Sequence, residues 1–526
     1  MKNRFVVLFV FLTSLFFISR FILFISTQGV GIEHDSGWYL GVARNVAERG
    51  MYASYTNTIS TTEKAGGFPS IHNRFSVQDK AGFVYFPAGV TVGPGYVLPE
   101  AFFLKLFGYG WVQYRLWPFI AFCLLVPILF FLILNVGSLV SLIIFQLWFW
   151  CYPQLFLVFS YESFGEHIAL LFLLLGYITF YKWLCNPKRG FFIILSGLSF
   201  GLAFQTKNLF ALGFLFSVAS VIYYAIKLKS VRPVGLFFLS LLLPTFLFEL
   251  YRFIALNFQF GLTGYLANNI DISRVWENGG SGIKALQSGI HLRFIYNKLS
   301  VWKHVGVDPY FFAWPFIFIS PFIHKRRVYL YWTLFVSTLI FFMWFGLFSP
   351  TGWFRHIVPG VVFGMIIISL AVGDIFSKCV DTKKPLSIFI SSLFIGMVCF
   401  AFLCSSNSLS QFVITNKQIV DIYKTPSPNT LQGPQFIPLV SKKDQGGVAA
   451  FINKSISINT RVCFYGWSLV AEVPPLVDRV FFPTSRCKKS DVLIIGPYQT
   501  NAFLLAQQLC TRSLFHNNTY TICSIK

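Results

Sequence analysis

The chain has 526 residues, 55% of them hydrophobic and only 12% charged, with a mean hydropathy of +0.65. A water-soluble domain carries about a quarter charged residues, so an ordinary soluble enzyme is excluded. The formal charge of +23 would suit a nucleic-acid binder, but Lys and Arg fall in short clusters between apolar runs rather than on one face, so no nucleic-acid partner is expected.

Apolar runs recur near the roughly 20-residue length that crosses a bilayer, which makes the chain a polytopic α-helical membrane protein. In chain order, helices are expected at about 5–25, 115–134, 138–157, 163–183, 190–206, 208–226, 234–256, 309–323, 328–348, 357–376 and 386–404, about eleven spans. The first is too long for a signal-peptide core and lacks a small-residue cleavage site, so it is read as a retained helix. Five basic clusters mark alternate ends of the spans: Lys2/Arg4, Lys182/Lys188/Arg189, Lys227/Lys229/Arg232, Lys325/Arg326/Arg327 and Lys378/Lys383/Lys384. With a cytoplasmic N-terminus all five face the cytoplasm, as the positive-inside rule asks. The first loop (about 26–114), the turns near 157–162 and 349–357, the loop at about 257–308 and everything after 404 then lie on the extracytoplasmic side.

Two domains follow: membrane residues 1–410 and an extracytoplasmic soluble domain, 411–526. The latter opens on the linker "KTPSPNTLQGPQFIP" and continues with a helix-like "DQGGVAAFINKSI", with Asp444 as its N-cap. The β-like runs "RVCFYGW" and "DVLIIG" and a helical "NAFLLAQQLCTRSLF" complete a small α/β domain. Its cysteines, Cys463, Cys487, Cys510 and Cys523, are either buried thiols or up to two disulfides in one of three connectivities. Cysteines in or beside the spans read as packing residues.

Candidate chemistry begins just past the first helix, where "GVGIEHDSGWYLGVARNVAERGMY" (29–52) sets Glu33 and Asp35 either side of His34. The stretch that follows reads as an amphipathic helix ending at Gly50, and Asp35 or Ser36 is placed to cap it. The alternative is chemical: a general base, or a divalent cation shared between the two carboxylates. Glu162 and Glu166 lie four residues apart at the start of a helix, where the dipole favours carboxylates; Glu166 alternatively lines an acceptor cavity or orients a basic group. His167 beside it reads as a solvated interface residue. Lys207 and Arg355 fall at outer ends of spans, either snorkelling to headgroups or neutralising a lipid phosphate, and His356 shares the turn with Arg355. His72 and Arg74 are polar candidates in the first loop.

The order of these motifs resembles the GT-C superfamily of polytopic glycosyltransferases that use lipid-phosphate-linked sugars. The matching residues are Glu33-x-Asp35 followed by Trp38/Tyr39, Ala43 and Gly50, and then "VTVGPGYVLPEAFFLKLFGYGWVQYRL" (90–116). "YPQLFLVFSYESFGEHIALLFLLLGY" (152–177), "SGLSFGLAFQTKNLFALGF" (196–214) and "GWFRHIVPG" (352–360) complete the set over most of residues 1–375. The pattern is similar to bacterial members related to protein O-mannosyltransferases and lipid A aminoarabinose transferases, without the adjacent Asp-Glu of the former.

The resemblance implies an inverting transfer of a sugar from a polyprenyl-phosphate donor to a hydroxyl of a cell-envelope glycan, a lipid or a protein. Asp35 would be the catalytic base, Lys207 and Arg355 would bind the donor phosphate, and Glu33, Glu162, Glu166 and His356 would contact substrate. A bacterial inner membrane is the implied location. Glu33 and Asp35 are the pair that would hold Mg²⁺ or Mn²⁺; two carboxylates make a thin site, so no obligatory metal is expected. The rival readings are a multi-pass transporter or flippase, for which no duplicated halves are visible, and a non-catalytic assembly or receptor subunit that binds through its tail.

Overall fold

The computed structural model describes residues 2–27, 29–55, 77–87, 93–151, 165–275, 317–318, 320–322, 328–347, 354–382, 431–432, 437–438, 440–465, 471–496 and 507–526. Its framework is helical: α1 (Lys2–Thr27), α2 (His34–Arg49), α3 (Pro94–Phe107), α4 (Leu116–Val136), α5 (Leu139–Cys151), α6 (Glu166–Cys185), α7 (Gly190–Thr206), α8 (Ala211–Leu228), α9 (Arg232–Val275), α10 (Val328–Leu347) and α11 (Val358–Thr382). Among the described residues six helices are long and apolar enough to cross a membrane, and α7 is a shorter apolar one.

Close helix packing comes from small residues. A Cβ on Gly197 would lie 2.5 Å from the Phe237 carbonyl oxygen, and one on Gly201 would lie 2.3 Å from that of Leu241. Glycine at both places therefore lets the α7 backbone lie directly on α9. On the neighbouring helix, the space beside Gly176 of α6 is filled by the Phe200 ring of α7.

The expected span at 234–256 is part of a longer element, α9, which bends at Gly261 (φ 70°). Past the bend the chain doubles back, because Arg252 donates a 2.8 Å hydrogen bond to Asn268 sixteen residues on. The expected helix at 386–404, most of that at 309–323, and the 410/411 boundary lie outside the described residues.

The first loop holds two helices. As expected, α2 ends at Gly50, which takes the left-handed conformation (φ 68°) and donates its N–H to Val46. After it β1 (Ala53–Ser54) pairs antiparallel with β2 (Val84–Tyr85). Helix α3, which no span or cap signal had announced, packs along α2.

The C-terminal region carries a short pair, β3 (Leu431–Gln432) and β4 (Ile437–Pro438), and a mixed five-stranded sheet. The sheet contains β5 (Val462–Phe464), β6 (Phe481–Pro483), β7 (Val492–Ile495), β8 (Cys510–His516) and β9 (Thr521–Ile525), in the order β6-β5-β7-β9-β8. The expected strands in "RVCFYGW" and "DVLIIG" are β5 and β7. Two expectations are corrected. Helix α12 (Lys442–Ser455) is capped by Ser441, whose hydroxyl accepts the Asp444 N–H at 2.9 Å, so Asp444 sits in the first turn. The second half of "NAFLLAQQLCTRSLF" is strand β8: pairing with β9 overrides its local helical pattern. Disulfides join Cys463 to Cys487 and Cys510 to Cys523.

This domain is stitched to the stretch between α1 and α2. Gly31 N–H donates to Val440 O and Lys442 N–H to Gly29 O, both at 2.7 Å, around a bridge between Val30 and Ser441. Farther along, Arg49 pairs with Asp478 at 2.7 Å, Tyr55 OH donates to the same carboxylate, and Phe481 N–H donates to Tyr55 O.

At the seam, burial lowers the Lys442 pKa to about 8, helped by the like charge of Arg115. An unfolded lysine titrates near about 10.4, so the native state binds fewer protons between those values. Stability of the seam is then expected to rise as pH climbs from about 8 to about 10.4. Limited proteolysis of the purified protein across that range should show increasing protection of residues 440–526, and Lys442→Met should flatten the dependence.

Candidate active site

Four charged side chains from four separate parts of the chain meet at one place. The first is supplied by α2. Its N-cap is Glu33, whose Oε2 accepts the Ser36 N–H at 3.0 Å. This corrects the expectation that Asp35 or Ser36 caps the helix. Capping by Glu33 leaves the Asp35 side chain available for a longer-range partner. Its Oδ2 accepts a 2.7 Å charge-assisted hydrogen bond from Arg355 Nη2.

Arg355 is presented by a short 3-10 turn, Phe354–His356, between α10 and α11. Its Nε lies 3.9 Å from Glu166 Oε1. Glu166 is the first residue of α6, reached through Gly165 in the left-handed conformation (φ 81°). The same Glu166 oxygen lies 2.8 Å from Lys207 Nζ. Lys207 is where α7 stops: its backbone is extended (φ −151°, ψ 111°) before the turn Asn208–Phe210. Because α6 and α7 are neighbouring antiparallel helices, the start of one and the end of the other lie side by side.

Asp35, Glu166, Lys207 and Arg355 are 5%, 1%, 3% and 2% exposed. Burial to this degree rules out snorkelling as the account of Lys207 and Arg355. Burial opposes the positive charge of Arg355, but Asp35, Tyr39, Glu166 and Glu33 outweigh it and hold its pKa above the ordinary arginine value. At Lys207 burial prevails and lowers the pKa, with Glu166 acting the other way and Arg355 adding to the fall.

The remaining sequence candidates are placed as follows. Glu33 is buried as the helix cap while its charge still acts on Arg355. His356 packs edge-on to Trp344 with ring centres 5.9 Å apart. His167, read from the sequence as solvated, is instead buried with Nε2 3.1 Å from Pro118 O, because α6 packs against α4. Glu162, His72 and Arg74 lie outside the described residues.

Glu33 and Asp35 alone make a thin divalent-cation site. One oxygen of each is already taken by a donor, the Ser36 amide and the Arg355 guanidinium, and that guanidinium stands where it would repel a cation.

Three further residues, none of them a site candidate from the sequence, hold the acidic segment in place. Arg115 Nη2 donates to Gly31 O at 2.8 Å. Gln445 bonds both polar backbone groups of Ile32, at 2.8 and 2.7 Å. Glu472 packs its backbone against Gly37, where a Cβ would lie 2.4 Å from its Cα. Arg115 stands in a quoted motif; for Gln445 and Glu472, hundreds of residues from their partners, the sequence carries no local signal.

Lys207→Met should leave Glu166 buried with, among the described residues, the more distant Arg355 as its remaining cation, and is expected to destabilise the fold by about 3–5 kcal/mol. The double substitution Lys207→Met/Glu166→Met should recover most of that loss. Thermal unfolding of the three variants in detergent checks this.

No family model and no curated protein sequence matches the chain. Among solved structures it is similar to ArnT from Cupriavidus metallidurans bound to undecaprenyl phosphate, with a TM-score of 0.55 and 12% identity over 98% of this chain and 97% of that one. The apo state of the same ArnT gives a TM-score of 0.54 at 12% identity, over 100% and 98%. At that identity the likeness is one of architecture alone, and it covers helices and C-terminal sheet alike: the chain has the membrane fold seen in ArnT.

Proposed function

We propose that the protein is a glycosyltransferase that moves a sugar from a polyprenyl-phosphate donor to an acceptor hydroxyl on the extracytoplasmic face of the membrane. The observation that carries this reading is the buried cluster of Asp35, Arg355, Glu166 and Lys207 at adjoining helix ends. A carboxylate and two cations are the groups such a transfer needs. The fold supports the reaction class, and the undecaprenyl phosphate held by ArnT supports the class of donor. The Lys/Arg clusters and the two disulfides of the C-terminal domain support the sidedness, since disulfides persist in oxidising compartments.

In the proposed reaction the acceptor oxygen attacks the anomeric carbon as Asp35 takes its proton. The bond from that carbon to the phosphate oxygen breaks on the opposite side, so the configuration inverts. Both bonding electrons leave with the polyprenyl phosphate, whose added charge falls to Arg355 and Lys207. Glu166 keeps the two cations apart and aimed before the donor arrives. The proposed mechanism needs no metal, because Arg355 and Lys207 supply the positive charge.

Membranes containing the protein should transfer sugar from their own lipid-linked donors to a product that mass spectrometry of envelope glycans, glycolipids and glycoproteins identifies as missing when the protein is absent. Asp35→Asn should lower that transfer by about 100-fold or more, and wild-type turnover in this variant would remove Asp35 as the base. The same transfer should be indifferent to EDTA; its loss on chelation, with recovery on adding Mg²⁺ or Mn²⁺, would contradict the metal-free mechanism.

A further inference from the structure

We propose that the C-terminal domain positions Asp35 for transfer and that Gln445 is the positioning residue through which it does so. The inference rests on the reading of Asp35 as the base. Between α1 and the Glu33 cap, the described segment 29–32 has no helix of its own to fix it. Its backbone groups are instead satisfied from outside. Gly29 O and Gly31 N–H are bonded by Lys442 and Val440, and Gly31 O by Arg115.

The last residue before the cap, Ile32, is held only through the Gln445 side chain in the contacts described: Gln445 Oε1 accepts its N–H at 2.8 Å and Nε2 donates to its C=O at 2.7 Å. One amide group thus does for Ile32 what a neighbouring β-strand would do. Gln445 is fully buried, and its own backbone N–H is tied to Ser441 O at 3.0 Å.

Two glycines make room for this arrangement. A Cβ on Gly31 would lie 2.2 Å from Gln445 Oε1, and one on Gly37 would lie 2.4 Å from Glu472 Cα. The C-terminal domain therefore touches the chain on both sides of Asp35, four residues before it and two after. The contact is braced from behind. Asp444, next to Gln445, accepts a 2.7 Å hydrogen bond from Thr519, and Glu472 accepts one of the same length from Tyr520. Both donors belong to the turn that leads into β9. A sheet closed by two disulfides is thereby rigidly connected to the first turn of α2, where the carboxylate must be held to a fraction of an ångström.

The test uses the full chain in detergent. In Gln445→Leu, which keeps the volume and removes both hydrogen bonds, amide exchange across residues 31–37 should quicken about tenfold or more while α6 and α7 stay protected. Transfer in membranes should fall about tenfold or more, whereas the Kd for undecaprenyl phosphate should stay within about twofold, because Lys207 and Arg355 are untouched. Gly31→Ala, which displaces the Gln445 amide from the other side, should behave alike and serves where Gln445→Leu folds poorly. Wild-type exchange over 31–37, or wild-type transfer, in a folded variant overturns the proposal. So does a loss of undecaprenyl phosphate binding in step with transfer, which would mark a general structural defect. The exchange measurement needs no assumption about Asp35, so an active Asp35→Asn chain would remove the base while leaving the clamp to be judged on its own.

Discussion

Two carboxylates and two cations are held almost entirely out of solvent, each beside a group of opposite charge. Isolated ions in such a place carry penalties of several kcal/mol each. Asp35 is therefore tied to Arg355, and Lys207 to Glu166, with Arg355 Nε also near Glu166. The elements that bring them there share one trait: each charged residue stands at a helix terminus, where the chain turns. Such clusters seldom raise stability above that of well-packed apolar residues, so stability does not explain why four charges are kept here. Their residue types suit instead the base and the phosphate site proposed above.

Much of this was legible in the sequence because the bilayer sets a length scale. Apolar runs of about 20 residues matched α1, α4, α6, α7, α8 and α10 to within a few residues, whereas α9 runs to Val275 and α3 had no such signal. The short basic clusters marked one side of the span pattern, which left Asp35, Lys207 and Arg355 on the other. What the sequence did not reveal was decided by contacts distant along the chain. The N-cap of α2 was expected at Asp35 or Ser36, but Glu33 takes it while Asp35 turns to Arg355, more than three hundred residues away. Cys510–His516 has an apolar pattern that suits helix or strand, and pairing with β9 chose strand. The fold-back at Gly261 depends on Arg252 finding Asn268 and Asn269, which no periodicity records.

The Gly-rich motifs illustrate how a pattern is right about place and silent about cause. Gly197 and Gly201 stand in a stretch quoted for its lysine, yet their own role is to let α7 lie on α9. That approach fixes the direction in which α7 ends, and so where Lys207 emerges. Gly31 and Gly37 act likewise for the C-terminal domain, one on each side of Asp35. Packing glycines and charged residues are thus parts of one arrangement: the former set backbone distances that the latter need.

The pairing of Asp35 with Arg355 also bears on the order of events in the proposed transfer. At rest Arg355 and Lys207 are already engaged by Asp35 and Glu166, so in the proposed reaction a phosphodiester donor brings further negative charge to cations that have partners. In the proposed reaction it binds by drawing Arg355 and Lys207 toward itself, and each step in that direction loosens Arg355 from Asp35. A carboxylate relieved of its guanidinium is a stronger base, and it becomes one only as the leaving group is put in place. When the acceptor proton reaches Asp35, that proton takes over the neutralising role that Arg355 has left, and the guanidinium stays with the departing phosphate. The charge within the cluster is then the same before and after the bond exchange. A low-dielectric site favours this, since creating a further uncompensated charge during the bond exchange would meet a desolvation penalty.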